Sequence, residues 1–333
     1  MAFRIESMQK PAGGNEHTVY RLSSLDQTTA AEVWPSLGGN CLRWRVGTSA
    51  GSLDLLYVAP DWEQNPIPTR SGIPVLFPFP NRIRAGHFNY AGTDYQLPLN
   101  DPSKQNAIHG FACRSAWRVV DHGANREAGW LTVAFQPSVD APQWLRLWPS
   151  DYRLSLTYRL ELHRLHFEAK IENPDEQMLP FGLGYHPYFR TDMDQCLARV
   201  PALMTWTLQN SLPTGQLEEV DNRTDLRVPR PVEELQLDDI YTHFDKTTAH
   251  SDYGLLRGEV IYPNHGTLRV WTDPEFTELV TFTPPHRTAI CLEPYTCVTD
   301  AIHLEREGFD TGWRILRPGQ SLTARVVLDF EPR

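Results

Sequence analysis

The chain has 333 residues, 41% of them hydrophobic and 22% charged, and a formal net charge of -10 at pH 7. That is an ordinary globular composition, long enough to bury an ample core without staples. The acidic balance argues against nucleic acid and against an anionic membrane surface, both of which call for clustered Lys and Arg. No apolar run reaches the roughly 20 residues of a membrane span, and Met1 to Lys10 lacks the apolar stretch of a signal peptide.

In chain order, the first strand-like runs are Cys41–Val46 and Asp54–Val58. Phe88–Tyr90 and Tyr95–Leu97 flank Ala91-Gly92-Thr93, a hairpin signal. Trp130–Phe135 follows. The clearest alternation lies in Arg153–Leu162, where Leu154, Leu156, Tyr158, Leu160 and Leu162 interleave with polar residues, and then in Leu165–Ile171. Period-two patterning on both sides of a short turn predicts half-buried antiparallel strands in a hairpin. Thr191 to Glu234, rich in Pro, Asp and Glu, reads as a long surface excursion. Strand-like runs resume at Leu268–Trp271, Leu279–Phe282, Ile290–Glu293 and Leu322–Phe330. Helical periodicity is almost absent, and 27 prolines interrupt the chain too often for long helices. The expectation is an all-β, large antiparallel sandwich with few short helices, forming one domain over residues 1–333. The five cysteines (Cys41, Cys113, Cys196, Cys291 and Cys297) are odd in number and scattered, with no C-x-x-C pair. Buried thiols in a reducing cytoplasm are expected, not disulfides or zinc.

Four segments stand out from this background. Ser71–Ile83 interleaves three prolines with Phe77 and Phe79, then reaches Asn81-Arg82. An amide beside a guanidinium suits vicinal hydroxyls, and a proline-rich corner with an exposed Arg is the plainer alternative. Asn106–Phe111 contains His109-Gly110, an imidazole where the backbone turns sharply or approaches a ligand, or a simple turn. In Pro180–Phe189 two glycines precede His186 and Pro187 follows it. Pro187 biases His186 toward extended backbone, either at the end of a strand or within the core. In Ile290–Thr296, Glu293 ends an apolar strand before Pro294, as an edge charge or a partly buried carboxylate of raised basicity.

Together, an Asn, an Arg, two His and a Glu are what hemiacetal chemistry requires. A base removes the anomeric hydroxyl proton and an acid protonates the ring oxygen. Rotation about C1–C2 and the reverse steps reclose the ring, with no metal or organic cofactor needed.

The four segments, in this order, resemble the galactose mutarotase (aldose 1-epimerase) family, and the similarity runs from Leu37-Gly-Gly-Asn40 to Pro318-Gly319. The resemblance implies a large antiparallel β-sandwich and a small-molecule sugar as partner. It implies Glu293 as general base, His186 as general acid, His109 as support for the ring oxygen, and Asn81 and Arg82 as binders of sugar hydroxyls. The family's hydroxyl-binding aspartate falls at Asp238-Asp239, where Asp238 fits the spacing to the following aromatic better. Two features depart from the galactose-specific pattern: the Phe77-Pro-Phe-Pro80 lead, and Arg70-Ser-Gly-Ile-Pro-Val with His109-Gly-Phe-Ala, which resemble the hexose-6-phosphate mutarotase branch. Cys113 stands where that branch carries arginine, leaving Arg114. The phosphate branch would require Arg70, Arg84 and Arg114 to converge on a dianion. A non-catalytic carbohydrate-binding sandwich is a third possibility, disfavoured because a lectin needs no acid–base pair.

Overall fold

The strongest alternation in the sequence becomes the middle of a sheet. In the structure, a computed structural model describing residues 2–193, 195–245 and 250–333, the expected hairpin forms as Arg153–Leu160 and Arg164–Glu172, with Leu160 opposite Leu165. Leu154, Leu156, Tyr158 and Leu160 are fully buried on one face, because successive residues of a strand point to opposite sides. These strands belong to a ten-stranded antiparallel sheet with Gly129–Phe135, Ser321–Pro332, Gly266–Thr272 and Gly254–Tyr262.

A second, eight-stranded sheet runs in the order Leu212–Glu219, Ala202–Gln209, Asp238–Phe244, Glu278–Phe282, Ala289–Tyr295, Gly184–Tyr185 and Val75–Leu76, and Tyr188–Arg190 also pairs with Ala289–Tyr295. A five-stranded meander, from Phe3–Ala12 to Gly51–Asp54, completes the framework. One apolar core takes Leu22 and Trp44 from the meander, Leu156 and Phe167 from the ten-stranded sheet, and Tyr241 and Leu292 from the eight-stranded sheet. The fold is all-β, a large antiparallel sandwich. Among the described residues α-helix is limited to the single turns Pro137–Asp140 and Ala301–Leu304.

Two expectations are corrected. Asp54–Val58 is strand only as far as Asp54. Beyond it the chain leaves the meander to bond elsewhere, through a bridge from Leu56 to Phe189 and the Tyr57 N–H to the Tyr188 carbonyl at 2.8 Å. Thr191–Glu234 is not a mere surface excursion, for it supplies the paired strands Ala202–Gln209 and Leu212–Glu219 at one end of the eight-stranded sheet. Alternation is diluted there: Leu212–Glu219 is the edge strand, with a neighbour on one side only, and Leu203 on the strand beside it faces solvent. All five cysteines are buried. Among the described residues no helix is long and apolar enough to cross a membrane.

Candidate active site

The register of the eight-stranded sheet sorts side chains into two faces. Glu293 lies opposite Val280, which lies opposite Ile240; two residues along, Cys291 lies opposite Phe282 and Phe282 opposite Asp238. Directly paired residues share a face, and so do residues two apart on one strand. Asp238, Cys291, Glu293 and Tyr295 therefore project to one side, while Leu292 and Tyr241 enter the core on the other. The same parity separates the two aspartates. Asp238 lines a cleft with Glu293, whereas Asp239 turns away and accepts two bonds from the Arg223 guanidinium, at 2.6 and 2.7 Å.

His186 reaches this face because its segment threads a narrow gap. Gly184 pairs with Leu76 on one side and Tyr295 on the other, and a Cβ there would lie 2.5 Å from the Tyr295 ring and 2.7 Å from Pro80. Only glycine fits. Beyond it, the His186 N–H donates to the Pro74 carbonyl at 3.0 Å and the Tyr188 N–H to the Gly72 carbonyl at 2.9 Å. The proline-rich segment is thus the track along which the histidine is laid. Phe77 and Phe79 are buried in the core, and the Phe77–Pro78 peptide is cis.

At the end of that track Asn81 adopts φ +52°, and its carbonyl accepts the His109 N–H at 2.9 Å. His109 itself has φ +67°, a conformation uncommon outside glycine, held between that bond and the strand pairing of Asn106–Ile108 with Arg82–Arg84. Gly110 follows at φ +61°, where a Cβ would sit 2.2 Å from the Phe77 carbonyl oxygen. His109 and Asn81 are brought together by backbone, although 27 residues separate them in sequence. Arg82 donates to the Asn81 side-chain oxygen at 3.0 Å, and its Nε lies 3.7 Å from Asp101. Asp101 anchors the intervening loop by accepting the N–H groups of Gln105 and Asn106, at 2.9 and 3.0 Å. Burial works against its charge, but the Ser103 hydroxyl and these donors outweigh it and hold its pKa down to about 2. Asp300 clamps the same strand from below, accepting the Arg84 N–H and side chain and donating its own N–H to the Arg82 carbonyl.

All six predicted residues, Asn81, Arg82, His109, His186, Asp238 and Glu293, line one cleft of about 320 Å³. Its size falls at the small end of the range for small-molecule sites. Glu293 is 1% exposed, His186 6% and His109 8%, so the carboxylate is the floor. The His186 Nε2 lies 3.3 Å from the Glu293 Oε1, and the Tyr295 hydroxyl donates to the Glu293 Oε2 at 2.5 Å. The His109 and His186 rings meet edge to face at 5.6 Å, and His186 stacks on Tyr188 at 4.5 Å. The Nδ1 atoms of both imidazoles are buried without a partner among the described residues.

Electrostatics follow from this dryness. Burial raises Glu293 well above the ordinary carboxyl range; the Tyr295 bond opposes it, the Asp238 charge adds to it, and Arg82 opposes it. Burial pushes His186 down to about 3, and holds His109 well below the usual imidazole value with help from the charges of His186, Arg114 and Arg82. Low dielectric disfavours charge on acid and base alike, so the two groups move in opposite directions.

Several lining residues were not singled out from the sequence as site residues. Tyr188 and Tyr295 each stand two positions after a predicted catalytic residue, so strand alternation could have found them. Asp101, Asn100 and Lys104 come from a loop with no local signal. Of the three arginines required by a phosphate site, only Arg114 lines the cleft. Arg70 is held by Asp61 through two bonds of 3.1 Å, and Arg84 by Asp300. A larger groove of about 780 Å³, lined by Trp34, Trp62, Lys10 and Arg190, has no comparable acid–base pair. Its cations are spoken for, with Lys10 on Glu32 and Arg190 on Asp192.

The aldose 1-epimerase family model matches residues 22–329, and the chain belongs to that family. Among its relatives, the uncharacterised protein YihR of Escherichia coli K-12 is 32% identical over 151 residues, which span 44% of this chain and 46% of YihR. A galactose mutarotase-like protein from Clostridium acetobutylicum superimposes with a TM-score of 0.85 at 20% identity, over 99% of both chains. The galactose 1-epimerase of Lactobacillus acidophilus does so with a TM-score of 0.75 at 17% identity, over 99% of this chain and 98% of that one. At such identities the structural likenesses speak for the fold.

Proposed function

We propose that the protein is an aldose 1-epimerase that interconverts the α and β anomers of a neutral aldose. The observation that carries this reading is the 3.3 Å contact between His186 Nε2 and Glu293 Oε1. The anomeric hydroxyl and the ring oxygen are bonded to the same carbon, so the base for one and the acid for the other must be neighbours. Glu293 takes the anomeric proton as the C1 carbonyl forms and the C1–ring oxygen bond breaks, and His186 delivers a proton to the ring oxygen. His109 supports that oxygen, and Asn81, Arg82 and Asp238 hold the hydroxyls. Rotation about C1–C2 and the reverse transfers produce the other anomer.

The pair works with a single shared proton. Opening uses the form with a carboxylate and an imidazolium and leaves a carboxyl and a neutral imidazole, the form that burial favours; closure restores the first form. Because burial raises Glu293 and lowers His186, the one-proton state spans a wide pH range. No electrons are transferred, so this chemistry needs no cofactor.

Engagement of Arg70 and Arg84 elsewhere, together with the Asp238 charge in the cleft, favours a neutral polyol over a phosphate ester. The test is anomer exchange followed by NMR for neutral aldoses and their 6-phosphates at equal concentration. Faster exchange of a neutral aldose is expected. Efficiency at least about tenfold higher with the phosphate, lost in Arg114→Ala, would move the protein to the phosphate branch.

A further inference from the structure

The face that carries Glu293 carries a soft ligand as well. Cys291 stands two positions before it on the same strand, opposite Phe282, and is fully buried. The Cys291 Sγ, the His186 Nε2 and a Glu293 carboxylate oxygen all lie within 4.8 Å of one another. Tetrahedral zinc, with Zn–N and Zn–O near 2.0 Å and Zn–S near 2.3 Å, places its ligand atoms roughly 3.3–3.7 Å apart. The His186–Glu293 separation of 3.3 Å already meets this. The Cys291 sulfur, no more than 4.8 Å from either of the other two atoms, would have to close to about 3.5 Å. A thiolate, an imidazole and a carboxylate form a donor set for a borderline-soft cation, unlike the all-oxygen sets of magnesium and calcium. Three protein ligands leave a fourth position open to the cleft.

We propose that His186, Cys291 and Glu293 form a capture site for a thiophilic divalent cation, zinc above all, and that its occupancy shuts the sugar site. The inhibitory half rests on the proposed function. The cation takes the lone pairs that the base and the acid need, and both the thiol proton and the proton shared by Glu293 and His186 leave to the buffer as the bonds to the metal form. Bound zinc is thus an off-switch for the ring chemistry and not a participant in it.

The experiment titrates the full-length, chelator-treated protein with Co²⁺, whose bond to a thiolate gives a charge-transfer absorption in the near ultraviolet, and in parallel follows anomer exchange with added Zn²⁺. One cobalt per chain with that absorption is expected, along with loss of exchange on zinc addition and recovery with EDTA. In Cys291→Ala the absorption should vanish and metal-free exchange should persist. Zinc sensitivity should fall by more than the 10–100-fold that loss of an outer-shell partner costs. Cys291→Ser, checked by its melting curve, serves if the alanine variant does not fold. The cobalt absorption should also fade in His186→Asn. An absorption unchanged in the Cys291 variants, or absent from the parent protein, overturns the site. A protein with the absorption but no anomer exchange keeps the metal site and loses the functional reading instead.

Discussion

Two buried glutamates on the same face of the same sheet have opposite surroundings. Glu278 lies opposite Tyr295 on the neighbouring strand, and the Tyr295 hydroxyl reaches Glu293, so one tyrosine stands between them. Glu278 is walled in by protein donors: the Trp206 indole N–H at 2.9 Å and the Thr242 hydroxyl at 3.2 Å. Burial lifts it to about 7, against those two bonds and the charge of Arg257. Glu293 has one protein donor, one titratable neighbour at 3.3 Å and an open cleft in front. Burial alone makes a carboxyl basic. What distinguishes a base from a structural acid is an accessible face and a partner able to carry the other proton.

The largest expected effect is on turnover in Glu293→Gln, which cannot accept the anomeric proton and should lose on the order of 10²–10⁴ in kcat while still binding sugar. Glu278→Gln should turn over like the parent. Steady-state anomer exchange by NMR or polarimetry compares the two, and equal losses would erase the distinction between them.

Next in size, His186→Asn should depress turnover about 10²-fold across the pH range, because the one-proton pair no longer exists. His109→Asn should also weaken binding if, as proposed, that ring supports the ring oxygen and orients the sugar. Turnover and inhibitor affinity measured for both variants sharpen the assignment; weaker affinity with intact turnover in His186→Asn would reverse the two roles.

A smaller effect should separate the adjacent aspartates. Asp238→Asn replaces a charged acceptor in the cleft, so KM should rise roughly 10–100-fold, as for loss of a hydrogen bond to a charged group. Asp239→Asn loosens the ion pair with Arg223, whose side chain is 57% exposed, and should cost at most about 1 kcal/mol of stability with KM unchanged. Paired kinetics and urea melts decide between them.

The smallest effect on activity, and the cleanest on stability, belongs to Glu278. Its folded pKa of about 7 lies above the ordinary 4.5, so the native state holds a proton that the unfolded chain releases between those values. Stability from this group is therefore present below about pH 4.5 and lost as pH rises toward 7, by on the order of 3 kcal/mol. Urea unfolding across pH 4.5–8 should show a steeper fall in the parent than in Glu278→Gln, where Glu293 still contributes; parallel slopes would place the proton elsewhere.

Local order accounts for what could be read directly. Alternation in Arg153–Leu162 was visible because one face of the strand is fully buried and the other is not, and the outcome differs only at the ends. Asn81, His109, His186 and Glu293 were legible as segments, because glycine and proline around each one mark special backbone. The edge strand Leu212–Glu219 was not, since a strand with a neighbour on one side only needs less patterning. The loop residues Asn100, Asp101 and Lys104 carried no mark at all, for their role depends on what faces them.

By itself the sequence determined the class of fold, through the two-residue period and the prolines, and the residue types available for acid–base chemistry. Only the tertiary structure decided which of them meet. Asp238 enters the cleft and Asp239 leaves it because strand pairing sets Asp238 opposite Phe282, which stands opposite Cys291, and alternation does the rest. Likewise His186 and Glu293, 107 positions apart in the chain, come to lie 3.3 Å apart because Gly184 lets one strand pass tightly beside another. Side-chain parity is local, but the register that gives it meaning comes from hydrogen bonds between distant strands.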